Sequence, residues 1–254
     1  MGKVFPTVPS LLRPNIFQKF PNVVAIQTTR EGGVSNGAFR SLNLGLSSGD
    51  SPEAVLKNRD ILLKAIEIES NQLVLSHQVH GDSVLIAERG GTYDAFDAHI
   101  TNQKSVFLAV SVADCTPILI YDAIHNAVAA VHAGWSGTAK SVLYKTMLKM
   151  NDTFGTEGKD CYAFIGACIS GKCYEVGEEV ASHFPNAVKQ YIEAKGKFLL
   201  DLKAANRLQL EAFQIPPAHI EVSPHCTYEE HERFFSFRHE KGRTGRMLAL
   251  IGLK

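Results

Sequence analysis

The chain has 254 residues, 45% of them hydrophobic and 20% charged, which is typical of a soluble globular protein with a large core. Its 26 basic and 26 acidic side chains cancel, so the composition favours small-molecule chemistry over a nucleic-acid surface or a polybasic membrane patch. The N-terminus lacks an apolar signal segment and no apolar run reaches membrane-spanning length, which predicts a cytoplasmic protein.

Five cysteines are spread along the chain without any Cys-x-x-Cys spacing. An odd number of dispersed cysteines predicts reduced thiols rather than a disulfide framework or a zinc ribbon. Cys161, Cys168, Cys173 and Cys226 are each expected to be buried and inert.

The first predicted strand, residues 22–29, leads into a loop that contains Gly32 and Gly33. Arg30 stands at the mouth of this loop. Its guanidinium could clamp an anionic or polar substrate group, because it offers a planar fork of donors. A solvated surface arginine is the alternative interpretation.

A helix start follows at Ser51, which is a good N-cap residue and precedes a proline and an acidic residue. The apolar residues behind it recur at helical spacing and predict an amphipathic helix that ends near residue 68.

A strand is predicted over residues 72–79, and residues 84–87 are expected to pair back on it as a hairpin. His77 and His80 are three residues apart, so on a strand they would point to opposite faces and at most one would belong to a given site. His80, beside a glycine at the strand end, is the better placed. A polar turn residue is its alternative role.

Two apolar, β-branched runs then flank a turn over residues 122–126. Cys115 lies near the start of the first run and His132 near the end of the second. If the two strands pair antiparallel, the start of one lies beside the end of the other, so Cys115 and His132 could face one another. Such an arrangement is either a metal site or a catalytic pair.

A Gly-rich turn over residues 133–138 is predicted to open a helix over residues 139–150. A strand, a Gly-rich turn and a helix in succession direct backbone N–H groups at an anion, so a phosphate could dock there. Alternatively, the glycines only shape a tight turn and Trp135 only packs.

The last third supplies predicted strands over residues 162–166 and 219–222 and helices over residues 177–183 and 201–213. Aromatic and basic residues alternate over residues 234–246, which favours a strand with one solvent-exposed face. The alternative is a cradle for a base or ring. Several strands run consecutively before a helix intervenes, which predicts an α+β fold of mixed sheets with outer helices.

If His80, Cys115 and His132 converge, their sulfur and ring nitrogens suit zinc. Three protein ligands leave a fourth position for water or substrate, which is the pattern of catalytic zinc. The metal would lower the pKa of its bound water towards about 7. The competing use of these residues is a cysteine nucleophile activated by histidine.

Four segments together resemble the laccase-domain family, whose members are called YfiH-like proteins, polyphenol oxidases or purine nucleoside phosphorylases. The segments are His77-Gln78-Val79-His80-Gly81, Ala113-Asp114-Cys115-Thr116-Pro117, His132-Ala133-Gly134-Trp135-x-Gly137-Thr138, and Phe235-Ser236-Phe237-Arg238 with Thr244-Gly245-Arg246. They occur in the family's order, and the similarity spans nearly the whole chain. The resemblance implies a single domain over residues 1–254, folded as an αββα sandwich.

The resemblance also implies zinc bound by His80, Cys115 and His132, and phosphorolysis of adenosine, inosine or methylthioadenosine. Adenosine deamination is attributed to the family as well. The expected partners are a small-molecule nucleoside and phosphate, without nucleic acid or membrane, and the expected state is a monomer.

Three further residues receive roles in this hypothesis. Asp114 is predicted to orient a ligand or to accept a proton near the metal. Arg30 and Arg238 are predicted to hold phosphate or ribose. The chain departs from the family at Ser136 and His239, where members usually carry basic residues. The first departure weakens the expected phosphate contact at the Gly-rich turn and leaves the preferred substrate open.

Three alternatives compete with the phosphorylase. The first is a copper-dependent polyphenol oxidase: none of the ten histidines forms the His-x-His pairs of a multicopper cluster, but a single copper in the same site is compatible with the ligands. The second is a binding module with structural zinc, closed by His77, His99 or Cys168. The third is a metal-free Cys–His amide hydrolase acting on a cell-wall precursor.

Overall fold

The structure is a computed structural model and describes residues 8–254. Residues 1–7, on which the predicted lack of a signal segment partly rests, lie outside it. The strands are β1 (Leu11–Leu12), β2 (Val23–Thr28), β3 (Leu73–His77), β4 (Val84–Ile86), β5 (Gly91–Asp94), β6 (Ala98–Thr101), β7 (Phe107–Val112), β8 (Thr116–Asp122), β9 (Ala127–Ala133), β10 (Cys161–Ile165), β11 (Glu175–Val176), β12 (Lys189–Ile192), β13 (Lys197–Leu200), β14 (Ile220–Val222) and β15 (Met247–Leu253). The α-helices are α1 (Pro52–Ile66), α2 (Trp135–Ala139), α3 (Val142–Phe154), α4 (Glu178–Ala181) and α5 (Leu202–Ala212). Across residues 8–254, no helix combines the length and apolar character needed to traverse a bilayer.

Two six-stranded mixed sheets form the centre of the fold. The first has the strand order β1-β2-β15-β7-β3-β5 and the second β14-β10-β8-β9-β6-β4, while β11-β13-β12 form a small third sheet. Alternate residues of the central strands face opposite ways: Leu108 of β7 packs with Leu119 of β8 between the sheets, whereas Ala109 and Ile118 face outwards. Because both faces of these strands are buried, their sequences read as continuous apolar runs.

Helices cover both outer faces of the sandwich. Leu62 and Ile66 of α1 pack against the first sheet, and Met147 of α3 and Leu210 of α5 pack against the second. The α+β prediction and the αββα layering are therefore confirmed.

The predicted start of α1 is confirmed in detail. The Ser51 hydroxyl accepts a hydrogen bond from the Ala54 N–H at 3.4 Å, with Pro52 in the first turn. Glu67 ends the helix in the left-handed conformation, with its N–H bonded to carbonyls of the last turn.

The predicted hairpin of residues 72–79 with residues 84–87 is wrong. Strand β3 pairs parallel with β5 and β7 in the first sheet, whereas β4 pairs parallel with β6 in the second. Residues 78–83 therefore carry the chain from one sheet to the other. From β3 to β8, every connection changes sheet.

The boundaries predicted for the helix after the Gly-rich turn are also wrong. Helix α2 begins at Trp135 and ends at Ala139, and α3 begins at Val142. Ser141 separates them because its backbone is left-handed, with φ of 61°.

Residues 234–246 do not form the predicted strand with one solvent-exposed face, which is a further correction. Local hydrogen bonds turn the chain instead: the Ser236 hydroxyl accepts the His239 N–H at 3.1 Å, and the Ser236 backbone carbonyl accepts the Glu240 N–H at 3.0 Å. Strand β15 begins only at Met247.

Candidate metal centre

The structure brings His80, Cys115 and His132 together at one end of the sandwich, where the central strand β8 begins and β9 ends. Their donor atoms all lie within 4.8 Å of one another. The Cys115 Sγ is 3.9 Å from His80 Nε2, and the two imidazole rings stand edge to face with centroids 4.9 Å apart. The three donors thus surround one point.

Sheet pairing explains why residues so distant in sequence meet. Strands β8 and β9 pair antiparallel, with Pro117 opposite His132, as predicted from the two apolar runs. Cys115 immediately precedes β8 and therefore lies beside the end of β9. His80 comes from the connection that crosses between the sheets, and its backbone is left-handed with φ of 56°.

A buried carboxylate that the sequence pattern did not reveal holds this arrangement. Asp97 accepts hydrogen bonds from His132 Nδ1 at 2.7 Å and from the N–H groups of Val79, His80 and Gly81 at 3.1, 3.1 and 2.7 Å. It fixes the orientation of one histidine and the backbone of the loop that carries the other. Four donors compensate its burial.

The four donors also determine the charge of Asp97. Burial alone would raise its pKa, but the bond from His132 and the backbone N–H groups outweigh burial and lower the pKa to about 2. Asp97 is therefore ionised at neutral pH. Its only sequence indication is an acidic residue immediately before the buried strand β6, and the pairing of Ala98 with Val131 then places it beside His132.

Cys115 and His132 polarise one another. Burial tends to raise the pKa of the Cys115 thiol, but His132 and then His80 outweigh it and bring the pKa below its ordinary value. Burial tends to lower the pKa of His132, but the Cys115 sulfur and the Asp97 carboxylate raise it. The thiolate, which is the form that binds metals and acts as a nucleophile, is thus favoured.

The space between the donors depends on Gly134, the residue before α2. A Cβ at this position would lie 3.0 Å from Cys115 Sγ and 3.1 Å from His80 Cδ2. A glycine keeps the backbone close to the donors without touching them. Two imidazole nitrogens and a thiolate around such a gap fit a zinc-class ion.

The cluster opens into a cleft of about 650 Å³, a volume typical of small-molecule sites. Its walls are aromatic and basic: the Arg238 guanidinium lies 5.0 Å from the Tyr174 ring centroid, and that of Arg246 lies 5.5 Å from the Phe237 ring centroid. Trp135 is a further lining residue. The aromatic and basic residues of the last motif therefore line a cleft, as in the cradle alternative.

Asp114 lies in the wall of this cleft, but its carboxylate is bonded to protein groups. It accepts the Thr227 hydroxyl and the Arg238 N–H, both at 2.6 Å. Its backbone has φ of 84°, a left-handed conformation that is costly for a residue with a side chain. Asp114 thus anchors the segment that carries Arg238.

Arg30 is the one predicted site residue that the structure does not bring to the cleft. Its guanidinium donates to the Arg40 carbonyl at 2.7 Å and the His231 carbonyl at 2.6 Å, and it pairs with Glu240 at 3.1 Å. These contacts tie together segments near the two ends of the described chain.

The two departures from the family's basic residues occupy different places. The Ser136 hydroxyl donates to the His80 carbonyl at 3.0 Å and so supports the loop of the metal centre. The His239 ring stacks on that of His231, with centroids 3.7 Å apart.

None of the three residues considered as a closing ligand joins the cluster. Within residues 8–254 the group around Cys115 contains only His80 and His132 besides it. His77 instead pairs with Asp94 at 2.6 Å, and His99 Nε2 bonds to the Ser76 hydroxyl at 2.7 Å.

Comparison with known proteins places these features in a family. Residues 24–254 match the family model described as multi-copper polyphenol oxidoreductase laccase. The chain belongs to the laccase-domain family. The predicted resemblance is thereby confirmed, and the laccase-domain match covers His80, Cys115 and His132.

Relatives and solved structures agree with this assignment. The chain is 38% identical over 248 residues to a purine nucleoside phosphorylase of Bacteroides thetaiotaomicron, covering 91% of this chain and 92% of the relative. It is 36% identical over 252 residues to the purine nucleoside phosphorylase YlmD of Bacillus subtilis, covering 93% and 91%.

Two crystal structures share the laccase-domain fold. The hypothetical protein YfiH of Bacillus licheniformis has a TM-score of 0.92 and 32% identity and covers 97% of each chain. YlmD of Geobacillus stearothermophilus has a TM-score of 0.88 and 36% identity, covering 93% of this chain and 94% of that one.

Proposed function

We propose that the protein is a zinc-dependent purine nucleoside phosphorylase that converts adenosine, inosine or methylthioadenosine and phosphate into the free base and a ribose 1-phosphate. The observation that carries the proposal is the open cluster of His80, Cys115 and His132 in a cleft with aromatic and basic walls. The names of the relatives from Bacteroides thetaiotaomicron and Bacillus subtilis support the choice of reaction.

The three clustered side chains would hold the ion. Zinc bound there supplies a Lewis acid that polarises a substrate oxygen. Asp97 accepts a hydrogen bond from His132 Nδ1–H, which would leave the lone pair of Nε2 on the neutral ring to bind the ion. The low pKa of Asp97 keeps this contact charged throughout the neutral range.

The cleft walls would position the two substrates. Trp135, Tyr174 and Phe237 offer aromatic faces on which a purine could stack. Arg238 and Arg246 supply guanidinium groups for phosphate or ribose. A phosphate oxygen attacks the ribosyl C1′, the bond from C1′ to the purine nitrogen breaks, and the base leaves with the bonding electrons.

Asp114 contributes to positioning in this scheme. Its carboxylate accepts the Arg238 N–H and so fixes the position of the Arg238 backbone. In the same proposal, the Asp114 carboxylate accepts a proton during the reaction. Arg30 receives no part in substrate binding, because three contacts outside the cleft occupy its guanidinium.

The decisive experiment measures adenine release from adenosine by purified protein with and without phosphate. Release and ribose 1-phosphate formation should require phosphate, and Cys115→Ala should lower kcat/KM by at least about a hundredfold. Cys161→Ala, which removes a buried thiol outside the cluster, is the matched control and should behave like the wild type. Equal activity of wild type and Cys115→Ala would remove the mechanism, and inosine formation without base release would instead indicate deamination.

A second candidate function is favoured by the electrostatics of the cluster. Cys115, His132 and Asp97 are arranged like the nucleophile, base and orienting carboxylate of a thiol hydrolase. An amide of a cell-wall precursor is the proposed substrate class. This alternative requires amide cleavage that survives chelation of metal and is lost when Cys115 is alkylated.

Copper in the same site would give the oxidase named in the family description. Metal analysis of protein produced without added copper, together with a phenol oxidation assay, distinguishes this case. Zinc as the bound metal and no phenol oxidation are the results expected from the phosphorylase.

A further inference from the structure

A second group of metal-ligating side chains lies apart from the laccase-domain centre. The donor atoms of Cys173, Cys226 and Glu229 all lie within 4.8 Å of one another. Cys226 is buried, Cys173 is half-buried and Glu229 is exposed, so the group forms a shallow site with one face open to solvent. An ion could enter from that face.

The backbone around these residues is well ordered by hydrogen bonds. The Cys226 N–H donates to Glu230 Oε1 at 3.1 Å, and the Glu230 N–H bonds to the Cys226 carbonyl at 2.9 Å. On the opposite side, the Cys173 N–H bonds to the Ser170 carbonyl at 3.0 Å. The donors are therefore presented by two tight turns rather than by free loops.

The Cys226 sulfur already accepts a hydrogen bond, from the Ser170 N–H at 3.3 Å. Ser170 also accepts the Cys173 N–H through its carbonyl, so this bond joins the turn that carries Cys173 to the turn that carries Cys226. Glu230 pairs with His225 and Arg233, whereas Glu229 forms no ion pair with any residue of the described range 8–254. Two sulfurs and a carboxylate at such short range form a set of donors that one cation could join.

We propose that Cys173, Cys226 and Glu229 form a second metal site, which holds a thiolate-preferring ion of the zinc class. Two thiolates and one carboxylate are ligands that zinc accepts, with solvent in the fourth position. Cys226 is buried as expected from sequence, but Cys173 is only half-buried, which corrects its predicted burial. The proposal gives both thiols a metal-binding role in place of the predicted inertness.

The position of the site suggests what the ion would do. Cys173 precedes Tyr174, which lines the cleft, and Cys226 precedes Thr227, whose hydroxyl bonds to Asp114. An ion bound to both cysteines would tie these two segments together behind the wall of the cleft. The second site is therefore structural, and it is independent of the reaction proposed for the first.

Cobalt(II) added to the whole protein under a phosphine reductant tests the proposal, because cobalt bound to thiolate gives a charge-transfer absorption. In Cys115→Ala the first cluster keeps only histidines, so any such absorption comes from the second. We expect Cys115→Ala to retain the absorption and Cys115→Ala/Cys173→Ser/Cys226→Ser, which has no thiol in either cluster, to lose it. Adding Glu229→Gln to Cys115→Ala should weaken cobalt binding by about tenfold while keeping the absorption.

The matched control is Cys115→Ala/Cys161→Ala, which removes a buried thiol that belongs to neither cluster and should leave the absorption intact. Absence of the absorption in Cys115→Ala would overturn the proposal, and so would a disulfide between Cys173 and Cys226 that persists under the reductant. Because Cys115→Ala disables the first cluster, either outcome is separate from the fate of the proposed phosphorylase.

Discussion

Replacing Asp97 by asparagine tests whether this carboxylate organises the metal centre. The side chain is fully buried, and its pKa is lowered from 3.8 to about 2. Since one pKa unit corresponds to about 1.4 kcal/mol, ionised Asp97 contributes about 2 to 3 kcal/mol to the free energy of unfolding at neutral pH. Asp97→Asn keeps the shape and loses that contribution.

The pH dependence of this effect has a definite sign. A carboxylate whose folded-state pKa is lowered stabilises the protein fully above its unfolded-state pKa, near 4, and the contribution disappears as the pH falls towards 2. Urea unfolding of metal-free protein should therefore show a gap between wild type and Asp97→Asn at pH 7 that closes in acid. Zinc affinity at pH 7 should fall by about 10- to 100-fold, because His132 loses the partner that orients its ring.

Asp94→Asn is the matched control, since Asp94 also pairs with a histidine, at 2.6 Å, but on the surface. It should change the free energy of unfolding by less than about 1 kcal/mol and leave zinc affinity unaltered. If Asp97→Asn equals the wild type in both unfolding at pH 7 and zinc affinity, the assigned role of Asp97 is wrong.

Three further substitutions address other parts of the structure. Gly134→Ala should lower zinc affinity by about tenfold, because its Cβ would lie 3.0 Å from Cys115 Sγ; a zinc titration equal to that of the wild type would contradict this. Burial lowers the pKa of His99 from 6.5 to about 4, so between these pH values unfolding takes up a proton. The free energy of unfolding of the wild type should therefore fall by about 3 kcal/mol from pH 6.5 to pH 4. Urea unfolding of His99→Gln should lack this pH dependence. Arg30→Met should cost about 2 kcal/mol in urea unfolding with KM for phosphate unchanged, and a tenfold rise in that KM would restore its predicted role in substrate binding.

Local sequence patterns were sufficient for the parts of the fold that depend on neighbouring residues. The cap of α1 at Ser51 and the antiparallel approach of Cys115 and His132 follow from short segments joined by a turn. Both were predictable because the interacting residues are near in sequence or adjacent across one turn.

Long-range pairing accounts for the errors. Residues 84–87 suit a hairpin, but nothing in their composition shows that the chain changes sheet at residues 78–83. Asp97 bonds to His132 only because β6 lies beside β9, which brings the two residues together. The contacts of Arg30 likewise join segments about 200 residues apart in sequence, so its place outside the cleft could not be read from its loop.

The crossings between the two sheets would give an ion bound at the proposed site a mechanical role. His80 and Cys115 lie in connections that pass from the first sheet to the second, whereas His132 belongs to the second sheet itself. An ion bound by these residues would link the two sheets at one end of the sandwich. The affinity of the site for the ion would depend on the distance that the inter-sheet core sets between the sheets. Enlarging or shrinking a side chain such as Leu119 would then tune metal loading from a distance, and metal loading would in turn raise the temperature at which the layers separate.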